Sequence, residues 1–202
     1  MIVLAGGLSK RFGQNKCLNE LAGKLLVAHV LNRVSDIVDE RVIVVDSEAQ
    51  KKALSSLPEL KVNVVIDKYQ DHSPLIGALT GFETVQADCA LLLPCDAAFV
   101  SPKIASLLLD LCENRSAVVP RWPNGYIEPL QSVYNVKLAI DAARQALREG
   151  KRDMSGMIAH LRRIRYVSTL VLQQYDRKLT TFFNINTIED WKRAEAMLKK
   201  SR

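Results

Sequence analysis

Met1-Ile2-Val3-Leu4-Ala5-Gly6-Gly7-Leu8-Ser9-Lys10-Arg11-Phe12-Gly13-Gln14-Asn15-Lys16 sets the reading of the whole chain. Its apolar run Ile2-Val3-Leu4 is a short buried strand that empties into two glycines. A backbone without Cβ lets a ligand approach the N–H groups closely, and Arg11 and Lys16 bring cations to either side of Gly13. This is the layout of a phosphate site at the end of a strand. The spacing excludes two familiar versions of it. Gly6-Gly7-Leu8-Ser9-Lys10-Arg11 is not G-x-G-x-x-G, and Lys16 stands between Asn15 and Cys17 rather than in G-K-[ST].

Two further apolar runs, Arg41 to Asp46 and Cys89 to Asp96, are too short for helices and too uniformly apolar for half-exposed strands. They fit strands covered on both faces, as in a parallel sheet, and the leucine-rich second run is expected to be central. Lys61 to Asp67, Ala117 to Pro120 and Arg163 to Ser168 read as additional strands. Helices are expected between them. Leu25 to Val38 places Leu26, Val30, Val34 and Ile37 on one face. A helix capped by Ser47 runs to Pro58, and Pro74 to Val85 starts with Ser73 as cap and Pro74 at the first helical position. Pro102 to Glu113 carries an apolar stripe, and Lys137 to Arg148 ends before Gly150 as a C-terminal cap requires. Strands alternating with helices over the full length predict a three-layer α/β/α sandwich around a mostly parallel sheet, Rossmann-like in its layering. No Pro/Gly/Ser-rich linker interrupts it, so residues 1–202 read as a single domain.

Ligands of open α/β sheets bind at the carboxyl ends of the strands, which makes Asp67 and Asp96 site candidates. A carboxylate after a run of leucines, as at Asp96, requires a counter-charge or a metal ion. His29, beside the apolar face of its helix, reads as structural.

The formal net charge of +6 admits nucleic acid, a membrane surface or small polyanions. The basic residues cluster in the N-terminal loop, in Arg162-Arg163-Arg165 and near the C-terminus. They form no aromatic-interleaved stripe and no helix-turn-helix pattern. A nucleotide phosphate site and a solvated helix face account for them, with no nucleic-acid or membrane partner. Cys17, Cys89, Cys95 and Cys112 form no C-x-x-C pair and have no His at ligand spacing. They read as reduced thiols, Cys89 and Cys112 packed as small hydrophobes. With no signal-like n-region and no apolar run of spanning length, the chain is expected in the cytoplasm.

The pattern L-A-G-G-x-x-x-R-x-G-x-x-K resembles the signature loop of GT-A-like nucleotidyltransferases, and most closely that of the MobA-like molybdenum cofactor guanylyltransferases. Four later segments are similar to motifs of that family: Val65-Ile66-Asp67 with Ser73-Pro74-Leu75-Ile76-Gly77, Pro94-Cys95-Asp96, Glu128-Pro129 to Tyr134, and Asn184-Ile185-Asn186-Thr187-Ile188-Glu189-Asp190. Ser73 stands where the family commonly has glycine, and Ala98 where it has proline.

The resemblance implies transfer of GMP from GTP to the phosphate of molybdopterin, with Mg²⁺ as cofactor and pyrophosphate as the second product. Contacts with other cofactor-biosynthesis proteins are an expectation of the same kind. Arg11, Lys16 and Asp96 are implied as catalytic, Asp96 as the magnesium ligand. Leu4, Ala5, Gly6, Gly7, Lys16, Asp46, Asp67 and Asp96 are implied for the nucleotide, with Asp46 accepting hydrogen bonds from the guanine edge. Arg152, Asn184 and Asn186 are implied for the acceptor. Arg152 reads equally as a solvated arginine, and each asparagine alone equally as a cap. Thr187 caps the last helix with Asp190 as its capping-box partner. Another phosphorylated acceptor such as a cobinamide phosphate, a cytidylyl donor, and a non-catalytic nucleotide-binding role are the alternatives.

Overall fold

The computed structural model describes residues 1–6, 16–57, 60–68 and 73–200. Its strands are β1 (Ile2–Leu4), β2 (Glu20–Leu21), β3 (Lys24–Leu25), β4 (Val42–Val45), β5 (Asn63–Ile66), β6 (Cys89–Pro94), β7 (Ala117–Arg121), β8 (Ser132–Asn135) and β9 (Arg165–Ser168). The helices are α1 (Leu26–Arg33), α2 (Glu48–Ser55), α3 (Pro74–Phe82), α4 (Pro102–Asp110), α5 (Val136–Arg148), α6 (Met154–His160), α7 (Thr169–Leu172) and α8 (Ile188–Lys200).

Seven strands form one sheet in the order β5-β4-β1-β6-β8-β7-β9, and β2 pairs with β3 in a separate hairpin. All neighbours in the large sheet are parallel except where β8 runs against β6 and β7. The leucine-rich β6 is its middle strand, as its sequence predicts.

Successive strand side chains point to opposite faces, and here both faces are covered. Val3, Ile43, Val45, Leu91, Leu93, Val118 and Val133 pack with α1, α2 and α4. Ile2, Val42, Val44, Ala90, Leu92, Val119 and Tyr134 pack with α3, α5 and α6. That is why these strands read as continuous apolar runs rather than as alternating ones. A third cluster joins Leu21, Leu26 and Phe99 to Ile185 and Ala194, seating α8 over the β2–β3 hairpin.

The predicted caps form as read. Ser47 and Ser73 accept from the third backbone N–H of α2 and α3, and Gly150 takes φ +76° after α5; Ser101, which the sequence reading passes over, caps α4 in the same way. Several ends fall short by a few residues, as at Phe82 in α3 and Asp110 in α4, and two further differences have a specific local cause. The helix expected over 25–38 stops at Arg33, because buried Val34 leaves helical geometry (φ −116°, ψ 11°) and the Ser35 hydroxyl engages the Asn32 carbonyl. A 3₁₀ turn then carries Ile37 back to the core. Of the Glu128-Pro129 to Tyr134 motif only Ser132 onward forms a strand, since Pro129 has no N–H for a ladder, and before the motif Ile127 makes a single antiparallel bridge with Arg121. No helix among the described residues is long and apolar enough to cross a membrane.

Candidate active site

Strand register builds the site. Leu4 lies opposite Val44 on one side and Pro94 on the other, and Val45 lies opposite Ile66. Three hydrogen bonds continue these ladders past the strand ends: Ala5 N–H to Val44 O at 2.9 Å, Cys95 N–H to Leu4 O at 3.0 Å and Asp67 N–H to Val45 O at 2.7 Å. The same register sets Gly6 beside Asp46 and Asp46 beside Asp67, while the chain turns at Cys95-Asp96, where Ala97 N–H returns to the Pro94 carbonyl at 3.2 Å. One glycine and three carboxylates thus stand at the carboxyl ends of β1, β4, β5 and β6.

The pocket there has a volume of about 370 Å³, within the range of small-molecule sites. Leu4, Ala5, Gly6, Lys16, Asp67 and Asp96 line it, together with Asn186 from the C-terminal motif. Gly6 has no positive φ, and a Cβ built on it meets Asp46 at an ordinary 3.4 Å. Neither backbone strain nor packing demands glycine, which leaves close approach of a ligand as the use of the missing side chain. Gly7, Arg11 and Gly13 lie outside the described residues.

Lys16 opens a 3₁₀ turn whose Cys17 is fully buried, and its own side chain is only 10% exposed. Its Nζ donates to Asp96 Oδ2 at 2.8 Å and to Asn186 Oδ1 at 3.2 Å. Three motifs separated by up to 170 positions meet at this ammonium. The other carboxylate oxygen, Asp96 Oδ1, is buried without a hydrogen-bond partner, and such an atom is costly unless a ligand satisfies it. No three His, Cys, Asp or Glu side chains among the described residues group closely enough to hold a metal alone. One carboxylate with substrate phosphates and water is nevertheless a usual way to hold Mg²⁺, so Asp96 fits that ion.

The remaining sequence candidates are placed as follows. Asp67 accepts from the buried Thr80 hydroxyl at 2.9 Å. Asp46 does not line the pocket but touches Gly6, and its N–H donates to Gln50 Oε1 at 3.0 Å. Asn184 Oδ1 accepts from Gln131 Nε2 at 3.1 Å, behind the pocket wall formed by Leu130 and Asn186. Capping α8 falls to neither asparagine. Asp190 Oδ2 accepts from the N–H groups of Asn186 and Thr187, and Asp190 N–H donates to Thr187 Oγ1, completing the predicted capping box. The Asn186 side chain is thereby available to Lys16. Arg152 is exposed between α5 and α6 and does not line the pocket. His29 Nε2 bonds the Leu21 carbonyl at 2.8 Å, a structural role.

Sequence reasoning passed over Thr80 and Gln131, the residues that hold Asp67 and Asn184. The signal available for Thr80 was a lone polar residue in the apolar segment Ile76 to Phe82, and Gln131, beside Ser132, had no such signal. The pocket thiols are no nucleophiles. Burial, with Asp46 nearby, pushes Cys17 up to about 12, and burial raises Cys95 as well, so both are protonated at neutral pH.

A mostly parallel sheet whose carboxyl edge joins an open glycine, a lysine and a strand-end aspartate is the architecture of a nucleotidyltransferase. Among these enzymes the chain belongs to the MobA-like NTP transferase family, whose domain model matches residues 1–164. It is 30% identical over 194 residues to a probable molybdenum cofactor guanylyltransferase of Methanosarcina mazei, covering 94% of this chain and 86% of that protein. A protein of the same description from Bacillus anthracis is also 30% identical, covering 96% and 94%. The crystal structure of molybdopterin-guanine dinucleotide biosynthesis protein A from Archaeoglobus fulgidus superimposes with a TM-score of 0.83 at 28% identity over 98% of each chain.

Proposed function

We propose that this enzyme transfers GMP from GTP to the terminal phosphate of a molybdopterin-type cofactor. An acceptor phosphate oxygen attacks the α-phosphorus, the bond from that phosphorus to the α,β-bridging oxygen breaks, and pyrophosphate leaves with the bonding electrons. The names of the relatives support the donor and acceptor. The observation that carries the chemistry is the meeting of Gly6, Lys16 and Asp96 at one pocket.

A phosphate nucleophile is ionised at neutral pH and needs no general base. The work left to the protein is alignment and charge neutralisation. Gly6 admits the triphosphate to the backbone, and Lys16 and Arg11 take up charge on the departing pyrophosphate. Bound Mg²⁺ supplies Lewis-acid polarisation of the phosphates, with Asp96 as its protein ligand. Asp46, beside Gly6, offers acceptors to the N1–H and exocyclic amine of guanine, a donor edge that cytosine lacks. Asp67 serves the nucleotide from the pocket wall, Asn186 meets the acceptor there, and Asn184 and Arg152 act on the acceptor from outside the pocket lining.

A thermal-shift panel of GTP, CTP and ATP with Mg²⁺, followed by pyrophosphate release with molybdopterin as acceptor, tests the reading. GTP at about 100 times its Kd should add roughly 2.7 kcal/mol to the native state. Stabilisation by CTP or ATP but not GTP would overturn the guanylyl assignment. Response to none of the three would favour a non-catalytic role.

A further inference from the structure

We propose that Lys16 is the built-in counter-ion of Asp96 and makes metal binding at that carboxylate conditional on nucleotide. The ammonium holds one carboxylate oxygen at 2.8 Å in a setting where the two side chains are 10% and 16% exposed. The second oxygen is buried and unpartnered. A divalent cation bound through it shares a single negative charge with a lysine already in place, and repulsion between like charges is weakly screened in so closed a site. In the protein without nucleotide, Lys16 therefore opposes the metal.

A nucleoside triphosphate removes the conflict by bringing the negative charge that the pair of cations lacks. Lys16 already lines the pocket, so its ammonium exchanges Asp96 for phosphate without leaving the cavity. Asn186 Oδ1, at 3.2 Å, is a neutral acceptor that stays with it through the exchange. Asn186 is itself fixed, because Asp190 holds its backbone and Ile185 N–H bonds the Asp96 carbonyl. The exchange couples the two ligands. Metal strengthens nucleotide binding by the factor with which nucleotide strengthens metal binding. If Lys16 served only as a phosphate ligand, removing its charge would leave metal affinity unchanged.

This inference rests on Asp96 being the metal ligand, and the experiment separates the two claims. Mn²⁺ binding to nucleotide-free protein is followed by the electron paramagnetic resonance signal of the free ion, for wild type, Lys16→Met, Lys16→Gln and each Lys16 variant combined with Asp96→Asn. Both single Lys16 variants are expected to bind Mn²⁺ on the order of tenfold more tightly than wild type, and Asp96→Asn to abolish the gain. Lys16 variants that bind Mn²⁺ no more tightly than wild type, while Asp96→Asn still weakens binding, would overturn the counter-ion role and leave the metal site standing. A gain that survives Asp96→Asn would overturn both. Should neither Lys16 variant fold, GTP binding in EDTA decides. Asp96→Asn, which releases the ammonium, is expected to bind metal-free GTP several-fold more tightly than wild type, and equal or weaker binding overturns the proposal.

Discussion

The Thr80 hydroxyl, buried in α3, donates to Asp67 Oδ1 at 2.9 Å and accepts the Lys68 N–H at 3.3 Å. One side chain thus fixes both the carboxylate at the end of β5 and the first turn of chain after it. Thr80→Val nearly conserves volume but withdraws this partner from two polar groups. Urea titration is expected to show a loss of about 1–2 kcal/mol. Nucleotide affinity should fall several-fold through the loss of this hold on Asp67. Unchanged affinity in a destabilised variant would confine Thr80 to a packing role.

Gly77 and Gly81 sit one turn apart in α3 and predict opposite outcomes. A Cβ on Gly81 falls 2.4 Å from Ile2 Cγ2, and Ile2 is fixed in β1 between Val42 and Leu92, so neither backbone can yield easily there. The helix-propensity gain of about 1 kcal/mol for alanine is outweighed by overpacking of about 1–3 kcal/mol, so Gly81→Ala should lower the melting temperature. A Cβ on Gly77 meets Leu4 at 3.4 Å and Asp67 Oδ2 at 3.8 Å, ordinary contacts at the pocket wall. Gly77→Ala should fold at least as stably as wild type and bind nucleotide more weakly. Calorimetric melting paired with a nucleotide titration distinguishes the two.

Gln131 is 4% exposed, with Nε2 on Asn184 and Oε1 buried without a partner. Replacing a half-satisfied amide by an apolar side chain of similar size gives back part of its desolvation cost. Gln131→Leu should therefore change stability by less than about 1 kcal/mol. It leaves Asn184 unanchored, so KM for the acceptor should rise while nucleotide Kd stays constant. Steady-state kinetics with the acceptor varied, beside a nucleotide titration, would refute this by showing the reverse pattern.

Burial holds His29 below the usual histidine range, with Lys24 and Arg33 adding to the effect and the Leu21 carbonyl opposing it. Its protonation is thus harder in the folded than in the unfolded chain. The unfolded state binds the extra proton as pH falls below the ordinary value near 6.5, so stability is fully present above that value and declines beneath it. Urea midpoints measured from pH 7.5 to 5 should fall more steeply for wild type than for His29→Gln. Parallel curves would remove His29 from the acid response.

What the sequence by itself determined is what a few neighbouring residues determine together. Short apolar runs specified the strands, because both faces of the sheet are covered. Ser47, Ser73 and the Thr187–Asp190 box specified helix starts, because a cap reaches only to its own first turn. Asp67 and Asp96 were legible as site residues because they end such runs. Tertiary structure decided the rest. Whether β8 runs against its neighbours, and which registers set Leu4 between Val44 and Pro94, depends on packing among segments remote in the chain. Lys16 meets Asp96 across 80 positions, and Gln131 meets Asn184 across 53. The helix expected over 25–38 ends early, at Arg33, because its apolar stripe continues through Ile37 while Val34 and Ser35 break the backbone pattern beneath it. Side-chain periodicity reports which residues face the core. It does not report which distant carboxylate a buried ammonium needs, because that partner is chosen by the cost of desolvating an unpaired charge, a quantity that exists only once the chain has folded around it.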